Sequence, residues 1–191
     1  MTNPPKIDFI DLKAQRHRIG AAMDEAILNV VHGGAYVFGP EIARLERELA
    51  EFCGAKHVIA CANGTDAILL PLKAMDIKAG DAVICPSFTF AATAEVVAWL
   101  GATPIFADID ETSYNIDPKS LPIALDTARK LGLNPRAIIA VDLFGHPADY
   151  DPIQAFCDEN GLVLISDTAQ GFGARYKGRV TGSIGKFATR S

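Results

Sequence analysis

The stretch that decides the fold is AVICPSFTFAATAEVVAWLGATPIFADI, residues 82–109. It begins with a short apolar run (82–86), continues with a segment of helical spacing (91–100) and ends with a second apolar run (103–109). Short apolar strands on either side of a helix are typical of a parallel sheet that is covered on both faces. The stretch therefore predicts one strand–helix–strand unit of an α/β domain.

The same alternation extends on both sides of this unit. Further strands are predicted at 57–62, 137–144 and 162–166, and further helices at 65–75, 118–131 and 152–160. Ahead of them, apolar residues at helical spacing run from Ile10 to Val31, and a second helix is predicted from Pro40 to Gly54. We expect two leading helices (1–55), then alternating strands and helices (56–191), in an α/β fold with a mainly parallel sheet and helices on both faces.

The composition narrows the class of protein. Of the 191 residues, 49% are hydrophobic and 21% are charged, which suits one compact soluble domain. A net charge of −5 offers no broad basic surface, so no nucleic acid partner is expected. No apolar run is long enough to cross a membrane and the first residues lack a signal-peptide pattern, so a cytoplasmic location is predicted.

The cysteines predict neither a metal site nor a disulfide framework. Cys53, Cys61, Cys85 and Cys157 are scattered along the chain and form no CxxC pair. We therefore expect four buried free thiols and no bound metal.

Ligands of such sheets bind beyond the carboxyl ends of the strands, so the residues at these positions are candidates for function. After the strand predicted at 57–62, Asn63-Gly64-Thr65-Asp66 places a glycine and a hydroxyl group at the start of a helix. This arrangement is either an anion-binding site or an ordinary N-cap turn. After the strand predicted at 82–86, Phe88 either lies against a planar ligand or belongs to the core.

Titratable residues follow two further predicted strands. His146 follows the strand at 137–144, and a structural role in the loop is the preferred interpretation for it. Asp167 leaves the strand at 162–166, where a buried carboxylate needs a partner because desolvation is costly. That partner is a protonated ring nitrogen of a ligand, a helix start, or one of the nearby cations, Arg175, Lys177 and Arg179. Gln170, three residues on, is a candidate donor to a ligand oxygen.

The order of these features is more specific than each feature alone. A phosphate-binding turn, a stacking aromatic and a carboxylate with a glutamine suit a planar, phosphorylated, cationic heterocycle. Pyridoxal phosphate fits that description.

Four segments carry a resemblance to a known family. They are GAYVFGPEIARLERELAEFCGAKHVIACANGTDAI (34–68), CPSFTFAATAEVVAWLGATPIFADID (85–110), YNID (114–117) and SDTAQGFGARYKG (166–178). In this order and spacing they resemble the DegT–StrS family of nucleotide-sugar aminotransferases, and most closely those that act on UDP-linked 3-keto sugar acids. The resemblance covers nearly the whole chain.

The resemblance implies a fold, a cofactor and a reaction. The chain would be the N-terminal part of the large, pyridoxal 5′-phosphate-binding domain of a type I aminotransferase. The full-length enzyme would be a cytoplasmic homodimer that transfers an amino group, commonly from glutamate, to a nucleotide-linked keto sugar.

The resemblance also implies roles for individual residues. Gly64, Thr65 and Ser191 would hold the cofactor phosphate, and Phe88 would stack on the pyridine ring. Asp167 would pair with the ring nitrogen and Gln170 would bind the phenolic oxygen, which makes these two the catalytic candidates within the chain.

Two family features fall outside the 191 residues. The lysine that attaches the cofactor would lie about five residues beyond Ser191, and the small C-terminal domain would follow it. Without that lysine the chain alone is expected to be inactive. Three alternatives stay open: a pyridoxamine phosphate-dependent sugar dehydratase of the same family, in which a histidine replaces the lysine; a non-catalytic fragment that binds the cofactor; and an ordinary nucleotide-binding α/β domain. The last is disfavoured because no GxGxxG motif follows the first strand.

Overall fold

The computed structural model describes residues 10–191. These residues fall into two compact units, 10–46 and 47–191. The helices are α1 (Leu12–Ile19), α2 (Ala21–Gly33), α3 (Pro40–Cys53), α4 (Gly64–Ala74), α5 (Ala92–Trp99), α6 (Leu121–Lys130) and α7 (Tyr150–Asn160). The strands are β1 (Asp81–Pro86), β2 (Thr103–Ala107), β3 (Asn134–Val141), β4 (Val163–Asp167), β5 (Arg175–Tyr176), β6 (Arg179–Val180) and β7 (Phe187–Thr189).

The second unit is built on a five-stranded sheet of order β2-β1-β3-β4-β7. Every neighbouring pair in this sheet is parallel. All five strands therefore end at the same edge, and the loops that follow them meet there. The predicted α/β class with a parallel sheet is confirmed.

Helices cover both faces of the sheet. Alternate residues of β1 point to opposite sides, so Ile84 packs in the cluster that includes α6 and α7, while Val83 packs in the cluster that includes α4 and α5. Both clusters are dominated by aliphatic side chains with almost no exposed surface, such as Leu72 and Ile153. The continuous apolar runs read in the sequence reflect this burial on two faces.

The strand predicted at 57–62 is wrong. This segment is irregular, and Ile59 in its middle is 79% exposed. A strand needs a neighbour for its backbone N–H and C=O groups, and no described strand pairs with this segment. Its apolar composition indicates burial, which the described part of the chain does not provide.

Two other differences concern the ends of the chain. The predicted helix from residue 10 to 31 is broken into α1 and α2 at Gly20, whose φ of 69° is left-handed and cannot continue a helix. The last strand predicted from the sequence is 162–166, whereas the structure has the β5–β6 hairpin and β7 beyond Gln170. These strands have only two or three residues, too few for an alternating pattern to show.

The remaining predicted elements are confirmed with small shifts of their ends. The strand predicted at 137–144 ends at Val141, and Leu143–Gly145 forms a 3₁₀ turn. Of the four cysteines, Cys53, Cys85 and Cys157 are buried free thiols as predicted, but Cys61 is exposed and lies in the irregular segment 57–62. Among the residues from 10 onward, no helix combines the length and apolarity that crossing a membrane requires.

Candidate functional site

The predicted site residues meet at the carboxyl edge of the sheet. Gly64 and Thr65 begin α4, Phe88 follows β1, Asp167 ends β4, Gln170 follows it, and Ser191 lies two residues beyond β7. The parallel topology brings these loops together although they are far apart in the sequence. The roles assigned to these residues remain predictions.

The start of α4 is a tight cradle. A β-carbon added at Gly64 would lie 2.6 Å from the Cβ of Ser191, so only glycine permits this approach. Asn63 caps the helix by accepting a hydrogen bond from Asp66 N–H at 2.9 Å, which confirms the N-cap interpretation for that residue. The cap does not use the N–H groups of Gly64 and Thr65, and groups at this position of a helix have no acceptor within it. Both interpretations of the turn therefore hold together, because the capped helix still presents donors for an anion.

Asp167 is the buried carboxylate of the site. Only 6% of the residue is exposed, and burial raises the pKa of its carboxyl group. Its Oδ1 accepts hydrogen bonds from Ala169 N–H at 3.1 Å and from the Thr189 hydroxyl at 3.5 Å, which partly oppose that rise. Of the nearby cations, Lys177 pairs with Asp151, Arg175 donates to the Gly178 carbonyl, and the charge of Arg179 acts on Asp151. None of the three is among the groups that shift the pKa of Asp167.

The side-chain oxygen of Gln170 is fixed by a hydrogen bond from the backbone. Its Oε1 accepts a hydrogen bond of 2.7 Å from the backbone N–H of Phe144, in the 3₁₀ turn after β3. The side-chain NH₂ group can only donate, so the amide offers donors to a ligand oxygen.

Phe88 is 49% exposed and does not belong to the core. Its ring centroid lies 5.9 Å from that of Tyr114 and 6.4 Å from that of Phe144, and these two rings are 6.3 Å apart. Three aromatic rings from three different loops thus form one exposed cluster. Sequence reasoning identified Phe88 alone, because nothing in the sequence shows that the loops after β2 and β3 meet beside it.

His146 contributes through its backbone. Its carbonyl accepts a hydrogen bond of 2.8 Å from the side chain of Asn115, and its N–H donates to the Leu143 carbonyl. These contacts fit the predicted structural role in the loop.

Asp142 is a buried carboxylate that sequence reasoning did not single out. It follows β3 beside Asp167 and is fully buried, with Oδ1 accepting from Tyr150 and from Ala148 N–H. Its Oδ2 is buried without a hydrogen-bond partner among the described residues. Burial raises the pKa of Asp142 to about 6, and the nearby charge of Asp167 adds to the rise, while the bonds from Tyr150 and Ala148 oppose it.

We expect the effect of Asp142→Asn on stability to shift towards stabilisation between pH 4 and pH 7, on top of a pH-independent cost of burying the NH₂ group where Oδ2 has no partner. The folded carboxyl titrates near 6 and the unfolded one near 3.8. The stability that protonated Asp142 contributes is thus fully present below about pH 4 and is lost as the pH rises through 6. The free energy of unfolding of the variant, relative to that of the unaltered chain, should rise by about 2 kcal/mol between pH 4 and pH 7, measured by urea denaturation.

Asp76→Asn is the matched control for this effect. Asp76 is fully exposed, and a hydrogen bond from Lys78 holds its pKa below the ordinary value. Its contribution to stability is lost as the pH falls, so the variant should differ from the unaltered chain in the opposite direction. An Asp142→Asn effect that does not depend on pH would contradict an ionised, buried Asp142.

The geometry fits pyridoxal phosphate at each of its polar groups. A helix start with free donors suits the phosphate, the exposed face of Phe88 suits the ring, and the buried carboxylate of Asp167 suits a protonated ring nitrogen. The donor end of Gln170 suits the phenolic oxygen. The residues present therefore match the cofactor without any change of the fold.

Comparison with known proteins agrees with this fit. Residues 17–191 match the DegT/DnrJ/EryC1/StrS aminotransferase family. Because the match covers most of the sequence, this chain belongs to that family, whose aminotransferases depend on pyridoxal phosphate.

Two curated relatives are named as an aminotransferase or transaminase of a nucleotide-linked sugar. The chain is 46% identical over 185 residues to the UDP-2-acetamido-2-deoxy-3-oxo-D-glucuronate aminotransferase of Pseudomonas aeruginosa, covering 97% of this chain and 50% of that protein. It is 38% identical over 179 residues to the dTDP-3-amino-3,4,6-trideoxy-alpha-D-glucose transaminase of Streptomyces venezuelae, covering 94% and 46%.

The fold matches solved structures equally well. A DegT DnrJ EryC1 StrS aminotransferase from Brucella abortus superposes with a TM-score of 0.95 at 48% identity, over 97% of this chain and 50% of that one. The chain thus spans about half the length of the relatives that it matches.

Proposed function

We propose that the full-length protein carrying this chain is a pyridoxal phosphate-dependent aminotransferase that converts a nucleotide-linked keto sugar to an amino sugar. The observation that carries the proposal is the carboxyl edge of the sheet, where Asp167, Gln170 and the start of α4 match the cofactor. The names of the relatives support a sugar nucleotide as substrate. Glutamate as amino donor, a homodimer and a cytoplasmic location complete the proposal.

Each residue has a distinct task in this function. Bound pyridoxal phosphate supplies an electron sink for negative charge on a substrate carbon. Asp167 keeps the ring nitrogen protonated, because a buried carboxylate strongly favours a neighbouring positive charge. The N–H groups of Gly64 and Thr65 hold the phosphate, Phe88 covers one face of the ring, and Gln170 donates to the phenolic oxygen.

We further propose that none of the lysines in the 191 residues attaches the cofactor. Lys177, the lysine closest in sequence to Gln170, pairs with Asp151 and lies 5.1 Å from the centroid of the Tyr176 ring. Lys186 directly precedes β7, at the amino end of that strand and not at its carboxyl end. The attaching lysine would belong to the rest of the full-length protein.

The binding part of the proposal can be tested on the chain itself with pyridoxamine 5′-phosphate. This compound carries an amine, so it cannot form a Schiff base with surface lysines and reports only the non-covalent site. The unaltered chain should bind it in a fluorescence titration. Gly64→Ala should weaken binding at least tenfold, or by about 1.4 kcal/mol, because the added methyl group displaces Ser191 from the phosphate cradle.

Gly33→Ala is the matched control for this substitution. Gly33 is also helical and has no atom within 4 Å of its added β-carbon, so binding should not change. Borohydride reduction in the presence of pyridoxal phosphate should give no stoichiometric adduct on one lysine. Binding that is absent, or equal in both variants, would contradict the proposed site, and a single modified lysine would contradict the assignment of the attachment point.

A further inference from the structure

The amide of Gln170 has only one possible orientation. The backbone N–H of Phe144 is a donor and lies 2.7 Å from the end of the side chain, so the atom facing it must be the oxygen, Oε1. The nitrogen is then the remaining group, and it can only donate. One backbone contact thus fixes which chemical group Gln170 offers to a ligand.

Phe144 makes this contact from an unusual backbone conformation. Its φ of 54° and ψ of 20° lie in the left-handed region, which a phenylalanine adopts only when its surroundings impose it. Burial of the side chain does not impose it, because Phe144 is 72% exposed. The constraint must come from contacts of the turn that carries Phe144.

Asn115 supplies that constraint. Its Oδ1 accepts a hydrogen bond of 3.0 Å from Leu143 N–H, and its Nδ2 donates to the His146 carbonyl at 2.8 Å. The side chain therefore bridges both ends of the turn around Phe144. Asn115 is only 3% exposed, so water does not compete for these bonds.

The loop that carries Asn115 is itself anchored. The backbone carbonyl of Asn115 accepts a hydrogen bond of 2.9 Å from Asp110 N–H, and Tyr114 N–H donates to the Asp110 carbonyl at 2.8 Å. The preceding residue, Tyr114, is also left-handed, with a φ of 62°. Two residues with uncommon backbone conformations thus lie on either side of one buried asparagine, directly beside the ring of Phe88.

We propose that Asn115 is a positioning residue for Gln170, acting through the backbone N–H of Phe144. This inference rests on the proposed function, because that function supplies the acceptor for the NH₂ group of Gln170, the phenolic oxygen of the cofactor. Asn115 itself does not touch the cofactor. It holds the turn so that the Phe144 N–H binds Oε1, and the NH₂ group of Gln170 is left for the ligand.

The contact can be tested without any cofactor. The hydrogen-exchange rate of the Phe144 N–H, followed by NMR, should rise about tenfold or more in Gln170→Ala and in Asn115→Ala. Gln170→Glu should keep the slow rate, because a carboxylate oxygen replaces Oε1 as the acceptor. Asn134→Ala is the matched control: it removes an asparagine that bonds Asp81 at 2.9 Å at the opposite end of the sheet, and the rate should not change.

Binding of pyridoxamine 5′-phosphate then tests the consequence. Gln170→Ala should weaken binding roughly tenfold, as expected for a hydrogen bond to a charged oxygen. Gln170→Glu should weaken it at least as much, although it preserves the contact with Phe144, because it has no donor. Asn115→Ala should weaken binding roughly threefold, and should add nothing in the Gln170→Ala background, since it acts through Gln170.

The outcomes separate this inference from the proposed function. An unchanged Phe144 exchange rate in Gln170→Ala, or losses of affinity that simply add in the double variant, would overturn the positioning role. The expected exchange pattern in a chain that does not bind the compound would support the clamp on Gln170 and contradict the proposed function.

Discussion

Replacing Asp167 by alanine in the full-length enzyme should abolish transamination, with a loss of at least about 1,000-fold in kcat, or roughly 4 kcal/mol of transition-state stabilisation. Asp167 is 6% exposed, so its charge acts on a neighbouring ring nitrogen through little intervening water. Without that charge the nitrogen loses its proton and no longer draws electrons from the substrate carbon. The rate of sugar amination under saturating donor measures the effect.

Two further variants make the Asp167 result specific. Asp167→Asn keeps the shape but not the charge, so it should lose nearly as much activity as Asp167→Ala. Asp151→Ala removes a carboxylate that pairs with Lys177 on the surface, and its rate should stay near that of the unaltered enzyme. Near-normal turnover in Asp167→Ala would refute the electronic role.

Gly171→Ala should lower the free energy of unfolding by about 3 kcal/mol, at the upper end of the usual cost of overpacking, because a rigid buried site forces its neighbours to move. A β-carbon at Gly171 would lie 2.4 Å from the Cβ of Asp142. Asp142 cannot yield easily, since it is fully buried and bonded to Tyr150 and Ala148. Urea denaturation of the chain measures the loss.

A second substitution tests the cause of that loss. Asp142→Gly removes the β-carbon that the new methyl group would strike, so adding Gly171→Ala in that background should cost much less than in the unaltered chain. Equal costs in both backgrounds would show that the clash with Asp142 is not the reason.

The sequence predicted those parts of the fold that depend on a regular pattern. The strand–helix–strand unit at 82–109 is correct because each of its elements is long enough to show its pattern. The first strand is buried throughout as its apolar run indicates, whereas the second lies at the edge of the sheet and leaves Phe106 57% exposed. The segment 57–62 carries an equally clear strand pattern and forms none. Its pattern encodes a preference for burial, and pairing depends on a neighbour that the segment itself cannot specify.

A site residue could be predicted where its type and position alone suggest a chemical role. Asp167 ends a buried strand, and a carboxylate there suggests a charged partner, so the sequence was enough to predict its burial at the strand end. Its role toward a ring nitrogen stays a prediction. Asn115 and Phe144 were not identifiable, because the role proposed for them depends on hydrogen bonds between side chains and backbone groups of different loops. An asparagine in a loop is common, and a left-handed phenylalanine has no sequence signature.

The close approach of Gly64 and Ser191 joins two segments that are far apart in the sequence, the start of α4 and the residues that follow β7. Such a contact closes a long loop, and closing a long loop has an entropic cost. A ligand whose phosphate is held between these two segments would bind only after β7 has joined the sheet, and by mass action it would stabilise that state. Binding of such a ligand would therefore report that β7 has paired with β4.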